Sequence, residues 1–179
     1  MKFFSNVLTA FTVIFLGILG ALAQTEDAVT GGLQSLTDAS SDVQLAISKI
    51  TLSNFPKTGT EIAGGLGNLT TSIGSFTTQI TPPNPTTFPD DAAQEIVDFL
   101  TGFVQVHQLL LSTIIGKHSI AAQFFLTAPI AAALRTIEDA VDDLAFALIG
   151  LIPTQQSAAQ SQFDSLSATF SDAISTYSS

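Results

Sequence analysis

Few side chains in this 179-residue sequence could make or break bonds, and their spacing argues against it. There are two histidines, His107 and His118, and no cysteine. Glu138-Asp139-Ala-Val-Asp142-Asp143 sets acids four residues apart twice, on one side of a helix. Like charges so placed repel by about 0.2–0.5 kcal/mol per pair. A bound metal would offset that cost, but a solvated outer face needs none, so no metal site is assigned. A di-iron bundle requires Glu-x-x-His on its helices, and the sequence has no such run. The Gly-x-Ser-x-Gly turn that presents a serine nucleophile is absent from the chain after residue 23, as is a glycine-rich phosphate loop. The residues predict a non-enzymatic protein, with no catalytic residue and no cofactor.

What the sequence does carry is apolar spacing. The first run is Val29, Leu33, Leu36, Val43, Ile47 and Ile50, with Ser40 in its one missing slot. The second is Ile62, Leu66, Leu69, Ile73, Phe76, Ile80, and the third Ile96, Leu100, Phe103, His107, Leu110, Ile114. The fourth passes through Ile130, Leu134, Ile137, Val141, Leu144, Leu148 and Leu151, and the fifth through Ala159, Phe163, Leu166, Phe170, Ala173 and Tyr177. Steps of three and four keep one stripe of a helix facing a common core. The expected fold is all-α, a single-domain five-helix antiparallel bundle. His107 occupies a core slot of the third helix, roughly level with Arg135 to Glu138 of the fourth. It is either hydrogen-bonded to a neighbour, Glu138 or a hydroxyl, or is a polar fixture for a ligand head group.

Turn chemistry sets the expected boundaries. The first helix should run from near Thr30 to Leu52 and stop at Asn54-Phe55-Pro56. The second should run from Thr58 to Ile80, with Thr58 or Thr60 as its cap and Glu61 in capping-box spacing. It contains Gly64, Gly65, Gly67 and Gly74, each costing about 1 kcal/mol relative to alanine. They mark either close helix approach or room for a ligand. Thr81 to Pro89 must be extended because of Pro82-Pro83-Asn84-Pro85. The third helix, Pro89 to Lys117, is apolar on nearly every side and is expected in the centre of the bundle. His118 to Leu126 reads as a connector with at most a helical turn. Thr127 is expected to cap the fourth helix, and the fifth spans Thr154 to Tyr177.

Residues 1–23 read as a secretory signal peptide: Lys2, an apolar stretch from Phe3 to Leu22, and a small-x-small cleavage site at Ala21-Leu22-Ala23. The expected mature domain is 24–179, secreted, with no membrane span and no hydrophobic C-terminal tail for a lipid anchor. A domain of that length can bury a core without disulfides. It would hold Lys49, Lys57, Lys117 and Arg135 against fifteen acids, in a chain of formal charge -10. Such a charge disfavours nucleic acid and anionic lipid surfaces. Serine and threonine must cover much of the exterior. Asn68-Leu69-Thr70 is an N-glycosylation sequon, and Thr77 to Thr87 suits O-glycosylation.

Several segments together resemble a known family. Leu33-Gln-Ser-Leu36 opens the first helix, and a Pro-rich break precedes the third. Thr127-Ala-Pro-Ile130 leads to Leu134, and Leu144-Ala-Phe-Ala-Leu148-Ile-Gly-Leu-Ile-Pro153 leads to a polar last helix ending at Tyr177. In this the chain resembles the fungal hydrophobic surface binding protein A family, also called cell-wall galactomannoproteins. The resemblance implies a secreted or wall-associated helix bundle whose partners are hydrophobic surfaces, cell-wall polysaccharide and fatty acids or other lipids. Some members hold fatty acids in a tunnel between helices. Here the tunnel would be lined by Ile73 and Phe76, by Phe103, His107, Leu110 and Ile114, and by Ile137 and Val141. The alternative is a surface-active coat or adhesion protein with a filled core that adsorbs to apolar interfaces and recruits lytic enzymes there. The stripes look alike in both cases, because only packing density separates them.

Overall fold

A computed structural model describes residues 25–178. The predicted signal peptide lies outside the described residues. Six α-helices follow one another: α1 Glu26–Ser48, α2 Phe55–Ile80, α3 Asp90–Gly116, α4 His118–Gln123, α5 Thr127–Leu151 and α6 Gln156–Ser178. A single 3-10 turn, Pro153–Gln155, joins α5 to α6. The five long helices coincide with the five apolar runs. The sixth, α4, occupies the expected connector, so the five-helix count is one short.

Several boundaries move for local reasons. α1 starts four residues before Thr30 because Thr25 caps it: Thr25 Oγ1 accepts from the Ala28 amide at 3.2 Å. Glu26 and Asp27 then occupy the first turn, where the helix dipole favours acids. Pro56 does not separate two helices by breaking one; it sits in the first turn of α2, where its missing N–H costs nothing. Asn54 organises the turn before it, accepting from the Thr51 amide at 2.7 Å and donating to the Lys49 carbonyl at 3.0 Å. Thr58 is therefore no cap; its hydroxyl donates back to the Asn54 carbonyl at 3.2 Å. Thr127 is the first residue of α5 and makes no cap bond.

The helix directions follow from cross-helix contacts. On α1, Gly32 meets Phe76 and Val43 meets Gly65, so α1 and α2 are antiparallel. Ser40 contacts His107, Gln44 donates to Thr113, and Lys117 donates to the Ser48 and Ile50 carbonyls, so α1 and α3 run parallel. Gln108 reaches Ser165 and Tyr177 reaches Ile114, so α3 and α6 are also parallel. Arg135 meets Ser178 across an antiparallel α5/α6 hairpin. The result is two layers: α1, α3 and α6 side by side, all in one sense, over α2 and α5 in the other. Chain neighbours alternate in direction, but three of the five spatial contacts are parallel, which corrects the simple antiparallel bundle. The cause is the Pro-rich linker between Ile80 and Asp90. Nine extended residues reach about 30 Å, enough for α3 to skip past α2 and settle beside α1. The Phe88 amide fixes the linker's end by donating to the Leu151 carbonyl at 2.8 Å.

α3 is consequently the middle of the three-helix layer and not the axis of the bundle. Its backbone packs on α1 and α6 and keeps its distance from α2 and α5. Side chains fill that interval. One core cluster unites residues of every long helix. The exterior has few charges because hydroxyls satisfy themselves: Thr70, Thr71, Ser75, Thr77 and Thr78 of α2 each donate to the carbonyl four residues back.

Candidate functional site

The eight residues expected to line a tunnel are all buried. Ile73 and Phe76 come from α2, Phe103, His107, Leu110 and Ile114 from α3, and Ile137 and Val141 from α5; the seven apolar ones belong to the one core cluster. The period of three and four places them there, since each stripe faces the opposite layer.

His107 is the polar exception, fully buried. Its Nδ1 lies 2.9 Å from Ser40 Oγ on α1. Ser40 has a single hydroxyl proton and lies 2.6 Å from the Leu36 carbonyl, which can only accept. Ser40 therefore donates to Leu36, and His107 donates from Nδ1 to Ser40 Oγ. That tautomer leaves Nε2 a bare acceptor, and it has no hydrogen-bond partner. The ring lies against Phe103, centroids 4.4 Å apart, with Phe170 of α6 at 6.5 Å. Burial pushes its pKa down from 6.5 to about 3, so the imidazole is neutral. The expected neighbour Glu138 is not its partner. Glu138 lies on the outer side of α5, where partial burial and the nearby Asp142 and Asp139 raise its pKa. Asp142 is raised likewise, by partial burial and by Asp139 and Asp143. Among the described residues, no three metal-ligating groups converge.

Ser40 was legible as a break in the first stripe and His107 as a break in the third. Their pairing was not, because it requires α1 and α3 to lie side by side in parallel register. Ser40→Ala should cost about 1–3 kcal/mol by stranding the Nδ1–H. The Ser40→Ala/His107→Leu double variant should recover most of that loss, because no buried donor then lacks a partner. Urea unfolding of these two variants and of His107→Leu checks this, and an additive double-variant loss would contradict the pairing.

Sequence reasoning placed Tyr177 on the fifth apolar stripe but not its hydroxyl's bond, and it missed Gly32. The Tyr177 hydroxyl donates to the Ile114 carbonyl at 2.7 Å and closes the C-terminal end of α3. Its ring stands edge-on to His118, centroids 5.0 Å apart. Gly32 lies so close to the Phe76 ring that a Cβ there would stand 2.0 Å from its nearest atom. The two residues share a surface groove of about 350 Å³ at the α1/α2 seam, rimmed by Ser35, Thr71, Ser75 and Gln79. Phe76 is thus a tunnel candidate that also reaches the outside. A larger groove, about 600 Å³, follows the α5/α6 seam beside Phe146. Gly64, Gly67 and Gly74 serve neither expected purpose. A Cβ on any of them meets nothing within 4 Å, and only Gly65 makes a close approach, to Val43 at 3.0 Å. Asn68 is exposed on the same outer side of α2.

No family model and no curated relative matches the sequence itself. The fold does match solved structures. The structure of Afmp4p in complex with palmitic acid superposes with a TM-score of 0.76 at 14% identity, covering 86% of this chain and 99% of that one. Ligand binding domain 2 of the Penicillium marneffei MP1 protein, complexed with multiple arachidonic acids, gives 0.76 at 14% identity over 87% of this chain and 97% of that one. Ligand binding domain 1 of the same protein, complexed with arachidonic acids, gives 0.77 at 11% identity over 86% and 99%. At such identities the likeness is one of fold.

Proposed function

We propose that this protein is a non-enzymatic carrier of fatty acids or similar lipids, held between its two helix layers. The observation that carries the reading is the interior itself: large apolar side chains separate α3 from α2 and α5, with one neutral, unpartnered acceptor among them. The matching folds were captured with palmitic and arachidonic acids, which supports the ligand class. An acyl chain would replace side-chain contacts along Phe103, Leu110, Ile114, Ile137 and Val141. Its binding energy comes from apolar area removed from water, about 25 cal/mol per Å² before ordering costs. His107 Nε2 offers a lone pair, so it suits a protonated carboxyl or a hydroxyl and opposes a carboxylate. The route inward is the α1/α2 seam, where Phe76 covers the core and the exposed glycines of α2 weaken that helix. Secretion, association with a fungal cell wall, membership of the family resembled above and a sugar on Asn68 belong to the same reading.

Native mass spectrometry tests it, on protein before and after organic extraction and after adding palmitic acid. A removable adduct of one or a few acyl chains that palmitate restores is the expected result. Phe103→Trp or Leu110→Trp, in folded protein, should weaken that binding at least tenfold by filling the interval. A mass that stays bare with palmitate, or binding untouched by both substitutions, would overturn the carrier reading. One observation favours a second reading, a surface-active protein with a filled core. Seven of the eight lining residues belong to one continuous buried cluster, and the α5/α6 groove opens outside it. That reading predicts adsorption to an apolar resin with no stoichiometric ligand.

A further inference from the structure

The buried polar side chains among the described residues are Thr30, Ser40 and His107. Two of them are spent. Thr30 donates to the Glu26 carbonyl at 3.0 Å. Ser40 donates to the Leu36 carbonyl and accepts from His107 Nδ1. His107 Nε2 has no partner. A stranded buried acceptor destabilises a fold, and an apolar pair at positions 40 and 107 would complete both stripes with nothing stranded. Folding therefore gains nothing from the second ring nitrogen.

The surroundings bound what can meet Nε2. The rings beside it are Phe103 and Phe170. A buried water makes about three hydrogen bonds, and among these side chains only Nε2 has one to offer. Cations stay away: Lys49 and Arg135 are exposed, and the Lys117 ammonium is held by the Ser48 and Ile50 carbonyls at 3.0 and 2.7 Å. Burial keeps the imidazole itself neutral, with its pKa down at about 3. A carboxylate here would be an unpaired buried charge facing a lone pair. A carboxyl titrating near 4.3 is protonated in only about one molecule per thousand at pH 7.5. An alcohol brings its proton at any pH.

The path inward is short. The groove at the α1/α2 seam is lined by Gly32, Leu36 and Phe76. Ser40 lies one turn further along α1, about 6 Å, bonded to the Leu36 carbonyl, with His107 2.9 Å beyond it. A lipid entering past the Phe76 ring thus meets the Ser40–His107 pair.

We infer, on the footing of the carrier function above, that His107 Nε2 is the receptor for an uncharged lipid hydroxyl, so that the ligand bound head-inward is an alcohol and not a fatty-acid anion. Long-chain alcohols and sterols share this chemistry. An ionised fatty acid would have to lie with its carboxylate toward solvent.

The test is competition in native mass spectra at pH 7.5, on the full chain from a secreting host, among 1-hexadecanol, hexadecyl methyl ether, cholesterol and palmitate. 1-Hexadecanol should outcompete its methyl ether, which keeps the oxygen and lacks the donor, at least tenfold, about the worth of one buried hydrogen bond. In His107→Leu that ratio should fall to about one. The unaltered protein, labelled with nitrogen-15, gives a readout that does not depend on the variant's folding. Either alcohol that binds should move the His107 Nε2 resonance upfield, and the ether and palmitate should leave it in place. The alcohol that binds tighter tells a straight chain from a sterol. Equal binding of alcohol and ether, a shift that palmitate also produces, or an Nε2 already hydrogen-bonded in the lipid-free protein would overturn the inference. If none of the four probes binds, the carrier function itself falls; if ether and palmitate bind as well as the alcohols, that function stands and the hydroxyl site alone falls.

Discussion

Lowering the pH from 7 to 4.5 is expected to remove about 2.5 kcal/mol of folding stability through His107 alone. The imidazole titrates near 6.5 when unfolded and near 3 in the fold. Between those values the unfolded chain takes up a proton that the folded chain does not. Stability therefore falls as pH falls from 6.5 toward 3, at about 1.4 kcal/mol per pH unit. The cause is desolvation: an imidazolium at this site would face Phe103 and Phe170 with no carboxylate to pair with. Glu138 and Asp142 act in the opposite sense, because their carboxyls are raised and the fold holds their protons more tightly than the unfolded chain. The clean measurement is thus the difference between the protein and its His107→Leu variant, by chemical denaturation across this range. The gap should close or invert on acidification as the parent loses stability. A gap that stays constant from pH 7 to 4.5 would mean that His107 is hydrated or charge-paired. Bound lipid whose hydroxyl or protonated carboxyl donates to Nε2 should deepen the effect, since protonation would then also break that bond.

The glycines should give effects of opposite sign. Gly32→Ala is expected to destabilise by about 2–4 kcal/mol, although alanine ordinarily gains about 1 kcal/mol over glycine in a helix. The new methyl would overlap three atoms of the Phe76 ring, the closest at 2.0 Å. The ring must swing out into the seam groove and lose its burial, or α1 and α2 must part. Gly64→Ala, Gly67→Ala and Gly74→Ala meet no neighbour, so each should stabilise by about 1 kcal/mol, and the three together by about 2–3 kcal/mol. Thermal unfolding of Gly32→Ala and of the triple variant distinguishes the cases directly. Stabilisation by Gly32→Ala would show that the Phe76 ring has another comfortable position. If the seam admits ligand, the triple variant should also slow palmitate uptake, because it stiffens the helix that must give way.

The apolar runs were enough to locate all five long helices, and their residues are buried apart from the half-buried Val43: a stripe of period 3.6 can be satisfied only by burial on one side. Boundaries were less legible. Pro56 acts identically on local sterics whether it ends one helix or begins the next, and only Asn54's bonds to Thr51 and Lys49 decide for the latter. α4 is too short to show a period. The eight lining candidates reached the core for the same reason as every stripe residue, so their common burial says little about a ligand. The glycines of α2 could not be interpreted from the chain alone, since the absence of a side chain looks the same against solvent, a helix or a lipid.

What the amino-acid order determined by itself is therefore the helical class, the buried face of each helix, the scarcity of chemistry and the two polar interruptions, Ser40 and His107. These depend on near neighbours in the chain, where spacing alone specifies geometry. The tertiary structure alone decided that α1, α3 and α6 lie parallel, that Ser40 and His107 fill each other's gaps, and that Gly32 makes way for Phe76. Each of these joins residues far apart in sequence through the direction and register of helices. Direction and register are set by how the whole core packs, and no local pattern encodes them.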